Sequence, residues 1–130
     1  MIKIAVDTNV LVSALLDTHS NPARILDRVL NGGLLLCYDS RIIMEYKTVL
    51  FRPKFPFHKR DVQILLDTII QIGASVLAEP SKVPFSDVTD KKFLEVALSA
   101  GALLITGNGK HYPEHACVLS PAKFLERFSV

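Results

Sequence analysis

The chain is predicted to fold as an open α/β sandwich, with helices on both faces of a central, mostly parallel five-stranded sheet. Three observations predict it. Five short apolar runs recur along the sequence, and segments with helical spacing separate them. Most of the runs are apolar on both faces, which marks strands covered from each side; a half-wet antiparallel sheet would alternate apolar and polar residues. The resulting order is strand, two helices, strand, two helices, strand, helix, strand, turn, strand, and such alternation closes by crossover connections.

Ile2 to Val6 is the first strand. Asn9 to Asp17 reads as a helix, followed by a second from Pro22 to Leu30, with Asn21 as N-cap, Pro22 at its first position and Gly32 and Gly33 closing it. Leu34 to Tyr38 is the second strand. After Ser40, the residues Ile42, Ile43, Tyr46, Val49 and Leu50 recur at helical intervals until Pro53 stops them. Asp61 to Ile72 repeats the pattern and ends at Gly73. Ala74 to Ala78 is the third strand; Phe93, Leu94, Val96, Ala97 and Ala100 form the next helical stripe, ending at Gly101. Ala102 to Thr106 and Ala116 to Leu119 complete the strands, and Ala122 to Phe128 is a short final helix.

The 130 residues match one domain, 1–130, with no internal repeat or linker. An apolar share of 49% with 22% charged residues excludes a disordered or low-complexity chain. Lys plus Arg is 15 and Asp plus Glu is 13, and the net charge of +2 is too near neutral to name a partner. No apolar run approaches the roughly 18 residues that span a bilayer, and Asp7 interrupts the stretch where a signal peptide needs its apolar centre. A cytoplasmic protein without membrane association is the expectation. Cys37 and Cys117 stand far apart in apolar segments, without zinc or redox spacing, and are expected as buried free thiols.

A parallel sheet brings the carboxyl ends of its strands and the amino ends of the following helices to one edge, where such folds bind ligands. Asp7 follows the first strand; Asp39 and Ser40 follow the second; Asp87 and Asp90 precede the helix after the third; Thr106, Gly107 and Asn108 follow the fourth. Glu45 lies about one and a half turns into its helix, beside the apolar stripe. Each has a structural reading: Asp7 as an N-cap, Asp87 and Asp90 as an acidic capping box with N-cap and N3 spacing, Glu45 as a solvated border residue. Their conjunction carries the functional one. Three carboxylates brought together repel, and no lysine or arginine stands beside Asp7 in the sequence to neutralise them. A divalent cation would, and an all-oxygen set without histidine or cysteine suits Mg²⁺ or Mn²⁺ better than zinc. Water on such a metal can attack a phosphoryl group in line.

These segments carry a resemblance. Ile4-Ala5-Val6-Asp7-Thr8-Asn9-Val10-Leu11, Ile43-Met44-Glu45-Tyr46 with Leu50-Phe51-Arg52-Pro53-Lys54-Phe55, Asp87-Val88-Thr89-Asp90-Lys91-Lys92-Phe93-Leu94-Glu95-Val96-Ala97 and Thr106-Gly107-Asn108 resemble, in order and over the whole chain, the PIN-domain ribonucleases. The likeness is to small prokaryotic VapC-like toxins of toxin-antitoxin systems. It implies a three-layer α/β/α sandwich, Mg²⁺- or Mn²⁺-dependent cleavage of single-stranded RNA to 5′-phosphate and 3′-hydroxyl ends, a homodimer and a cognate antitoxin. By position, Asp7, Glu45 and Asp90 match the acidic core, Thr8 and Asn9 complete the first motif, and Thr106 matches the hydroxyl residue that orients the first aspartate. Asn108 departs from the pattern, since many relatives carry a fourth acid there. An amide can still offer its oxygen to a metal or hold a metal-bound water, at lower site charge. Asp87 either compensates or caps its helix.

Arg52 to Arg60 holds four basic residues, a histidine and two phenylalanines without an acid. Arg52 and Lys54 there, and Lys110 after Asn108, are the candidate RNA-binding residues, because cations track the backbone and aromatics stack on bases. The competing reading is a solvated connection whose phenylalanines plug the core or a dimer interface. His19, His58 and His115 lack zinc-ligand spacing. Two functional alternatives stand beside the ribonuclease: another Mg²⁺-dependent phosphohydrolase, and an inactive PIN-fold module that binds RNA or protein. Haloacid-dehalogenase phosphatases want a second aspartate where this chain has Asn9, and a receiver domain wants one soon after Ala78.

Overall fold

The computed structural model describes residues 1–81, 90–113, 115 and 117–128. In chain order these form β1 (Ile2–Val6), α1 (Thr8–Leu16), α2 (Asn21–Leu30), β2 (Leu34–Tyr38), α3 (Ser40–Leu50), α4 (Lys59–Ile72), β3 (Ala74–Ser75), α5 (Lys91–Ala100), β4 (Leu103–Ile105), a 3-10 turn at Gly109–His111, β5 (Val118–Leu119) and α6 (Pro121–Arg127). The five strands make one sheet in the order β3-β2-β1-β4-β5, every pair parallel. The fold is the expected three-layer α/β/α sandwich. Ile4, Ala5 and Val6 of the central strand are all buried, because helices cover both faces. On those faces α5 lies against β1, β2 and β4, while α2 and α4 lie against β2.

Side-chain caps set several helix starts. Asp7 opens α1, Asp39 opens α3 by accepting the Ile42 N–H at 3.1 Å, and Ser120 opens α6 by accepting that of Lys123 at 3.1 Å. The α2 cap is Ser20, not Asn21: the extended Ser20 puts its hydroxyl 3.2 Å from the Ala23 N–H, and Asn21 is already the first helical residue. The outer strands are shorter than their apolar runs. β3 keeps two residues, although the Val76 N–H still donates to the Tyr38 carbonyl at 2.8 Å, because an edge strand has a neighbour on one side only.

Two glycines have specific reasons. Gly101 ends α5 at φ 66°, the left-handed conformation that favours glycine. Gly73, between α4 and β3, has no room for a side chain: a Cβ would lie 2.6 Å from the Leu36 carbonyl oxygen and 2.7 Å from that of Ile69. Both cysteines are free thiols; Cys37 is buried, whereas Cys117 is only half-buried beside the edge strand β5. Among the described residues, no helix is long and apolar enough to cross a membrane.

Candidate active site

Asp7 is the first residue beyond β1, and its N–H donates to the Ile105 carbonyl at 3.0 Å, which seats it between the two central strands. Its carboxylate is buried and carries three protein donors. Oδ1 accepts the Asn9 N–H at 3.2 Å, while Oδ2 accepts the hydroxyls of Thr106 at 2.9 Å and Tyr112 at 3.1 Å. The cap and the site residue are thus the same group. Thr106 is held in turn by accepting the Asn108 backbone N–H at 3.1 Å. Asn9 itself is exposed, and the half-buried Asn108 sits on the same edge.

Glu45 comes from α3. Its Oε2 accepts the hydroxyl of the buried Thr8, and its Oε1 pairs with Lys92 Nζ at 2.7 Å. Lys92 arrives from α5, so the expectation that these carboxylates have no basic neighbour fails for Glu45: the fold supplies the cation that the local sequence lacks. Asp90 stands at the N-cap position of α5 without capping it, and its Oδ2 lies 3.6 Å from His111 Nδ1. Its proposed capping-box partner, Asp87, lies outside the described residues.

Tyr112 reports the common field of these groups. Burial first, then the charges of Asp7, Asp90 and Glu45 and the hydrogen bond to Asp7, raise its phenol far above the ordinary tyrosine value, so it remains a donor at any working pH. Asp7 is bonded to that hydroxyl, whereas Glu45 is tied to Thr8, the neighbour of Asp7, and Asp90 lies beside His111, the neighbour of Tyr112. Among the described residues they do not close into a ready-made metal cage: Glu45 is turned to Lys92 and Thr8, and Asp90 to His111. Their donor chemistry, hard oxygens without thiolate, fits a divalent cation of the Mg²⁺ class.

The basic candidates divide. Arg52, exposed just beyond α3, shares a surface depression with Arg41, Glu45 and Lys92, so it borders the acidic site. Lys110 is exposed in the 3-10 turn of the same edge. Lys54 lies 5.1 Å over the Phe55 ring, and Phe55 stacks on Phe57 at 5.3 Å while both pack on the core. Those phenylalanines are plugs for the connection more than platforms for bases.

Sequence reading placed Tyr112 on this edge with Lys110 and His111 but missed its bond to Asp7, and it missed Lys92 and an ion-pair network under the same edge. Arg41 binds Asp39 at 2.7 Å and the buried Glu95 at 2.9 Å, and Glu95 also accepts the Ser81 N–H at 2.6 Å. The last had a signal: Glu95 falls inside the apolar run Phe93 to Ala97, where a charge demands a partner. Lys92 and the Tyr112 bond had none, because each side chain meets a carboxylate remote in sequence.

The model of the PIN domain matches residues 3–110, and the chain belongs to that family. A curated relative, the uncharacterised protein MJ1680 of Methanocaldococcus jannaschii, is 27% identical over 143 residues, covering 98% of this chain and 92% of its own. Among solved structures, a chain from the crystal structure of VapBC2 from Rickettsia felis, bound to a DNA fragment from their promoter, superposes with a TM-score of 0.59 at 14% identity, covering 92% of this chain and 97% of that one. At that identity the likeness is one of fold.

Proposed function

We propose that the protein is a metal-dependent endoribonuclease that hydrolyses single-stranded RNA, and that it is the toxin of a toxin-antitoxin pair. The single observation that carries the reading is the buried Asp7 carboxylate at the carboxyl edge of a parallel sheet, held by the Thr106 and Tyr112 hydroxyls, with Glu45 bonded to the adjacent Thr8 and Asp90 beside His111, the neighbour of Tyr112. Membership of the PIN family supports the nuclease class, and the fold shared with a VapBC2 chain supports the antitoxin partner. An apolar groove between α1, α2 and α4, lined by Leu15, Leu26, Leu30, Phe57 and Leu65, is available for such a partner or for a second copy in a homodimer.

In this reading Asp7 and Asp90 bind Mg²⁺ or Mn²⁺, Glu45 binds it or orients the attacking water, and Asn108 contributes its amide oxygen. Bound there, the ion supplies an activated water and charge stabilisation for in-line displacement at phosphorus. Thr106 and Tyr112 hold Asp7 Oδ2, while Oδ1 accepts the Asn9 backbone N–H. Arg52 and Lys110, both exposed, are the cations available to phosphates of the strand.

A second reading, a weakly active or inactive PIN-fold binding module, draws on two specific features: the neutral Asn108 and the engagement of both Glu45 oxygens by protein donors. One assay separates the two. Purified protein incubated with a labelled single-stranded RNA is expected to cut it in Mn²⁺ or Mg²⁺, leaving 5′-phosphate and 3′-hydroxyl ends, and to stop in EDTA. Cutting that continues in EDTA contradicts metal dependence, and uncut RNA in both metals favours the binding module.

A further inference from the structure

Lys92 and Glu45 form a close ion pair at the site, Nζ to Oε1 at 2.7 Å, with little of the lysine exposed. The other Glu45 oxygen holds the hydroxyl of Thr8. These two partners differ in what they allow. A neutral hydroxyl tolerates a cation on the same carboxylate, whereas an ammonium and a divalent ion on one carboxylate repel each other as like charges in a partly desolvated site. The Lys92 ammonium also lies 5.0 Å from the Phe93 ring centroid, so the ring face lines the ammonium's position beside Glu45. Beside it run the two surface depressions that contain Glu45, one of them shared with Arg52.

Resting on the metal-dependent reading above, we propose that Lys92 is a built-in counter-ion that competes with the divalent metal for Glu45 and, once exchanged for it, turns its ammonium to the phosphate of the bound strand. Lys92 is thus a positioning residue with two opposed effects. It neutralises Glu45 at a cost in metal affinity, and it returns positive charge to the substrate when the metal takes its place. A nucleic-acid backbone presents a ligand chemistry, the phosphodiester oxygen, that an ammonium released at this rim can bind.

The test is Mn²⁺ binding, followed by electron paramagnetic resonance of the free ion, for wild type, Lys92→Met, Glu45→Gln and the double variant, with Lys91→Met as a control for general charge. Methionine keeps the apolar stem; Lys92→Gln serves if melting shows that Met is not tolerated. Lys92→Met is expected to bind Mn²⁺ about tenfold tighter than wild type, to add nothing in the Glu45→Gln background, and to raise the KM for single-stranded RNA several-fold. Lys91→Met is expected to shift Mn²⁺ affinity far less. Unchanged or weaker Mn²⁺ binding in Lys92→Met, an equal gain in Lys91→Met, or the same gain without Glu45 would overturn the proposal while leaving the metal-dependent reading intact. Failure of the wild type to bind Mn²⁺ at all would instead remove that reading and the proposal with it.

Discussion

At the residue scale, the site is organised by hydroxyls as much as by carboxylates. Asp7 is buried at the end of β1, and a buried carboxylate is tolerable only with its oxygens occupied. Thr106 and Tyr112 supply two of its donors. Tyr112→Phe and Thr106→Val each remove one, and each is expected to cost about 1 to 3 kcal/mol of stability and to slow RNA cleavage, measured by melting and by initial rates. Retained stability and rate in both would mean that Asp7 needs neither. Asp7, Asp90 and Thr106 were legible because an acid or hydroxyl directly after an apolar strand, or just before a helix, declares its place on the edge. The Tyr112 bond was not, since nothing local distinguishes a tyrosine that bonds a carboxylate 105 residues away from one that fills a core.

At the element scale, the placement of α5 decides what surrounds Glu45. Its first turn brings Lys92, and a turn later Glu95 joins Arg41 of α3 and the Ser81 backbone, tying α3, α5 and the chain after β3 together. Burial alone would raise the Glu95 carboxyl, but the hydrogen bond from Arg41 and that from Ser81 outweigh it and hold its pKa below the ordinary value. The sign follows: the stabilisation is fully present above the ordinary carboxylate range and is lost as pH falls through the depressed folded value. Glu95→Gln is expected to melt lower than wild type at neutral pH, by about 1 to 2 kcal/mol because Arg41 remains half exposed and screened. The gap is expected to close on acidification; a gap that stays constant or widens toward acid would contradict it. Helix existence was legible from apolar spacing, whereas starts moved by one or two residues where a cap such as Ser20 is chosen by backbone geometry.

At the scale of the whole molecule, the apolar runs and their crossovers announced the sandwich because strands covered on both faces leave few other topologies. The pairing order β3-β2-β1-β4-β5 required the structure, since strand neighbours are set by packing across the sheet. Gly73 shows how tightly that packing closes. Gly73→Ala drives a methyl against two backbone oxygens and the Tyr38 ring, and is expected to destabilise by about 1 to 3 kcal/mol in thermal unfolding. An unchanged melting temperature would mean that α4 and β2 approach less closely. The same closure is what lets four separated segments meet at one edge, where we propose that they make a metal-dependent nuclease. The most direct measurement is the rate of single-stranded RNA cleavage in Mn²⁺ by wild type and by Asp7→Asn, with folding of both checked by circular dichroism. A fall of about 100-fold or more in the variant is predicted; equal rates in the two folded proteins would contradict the account.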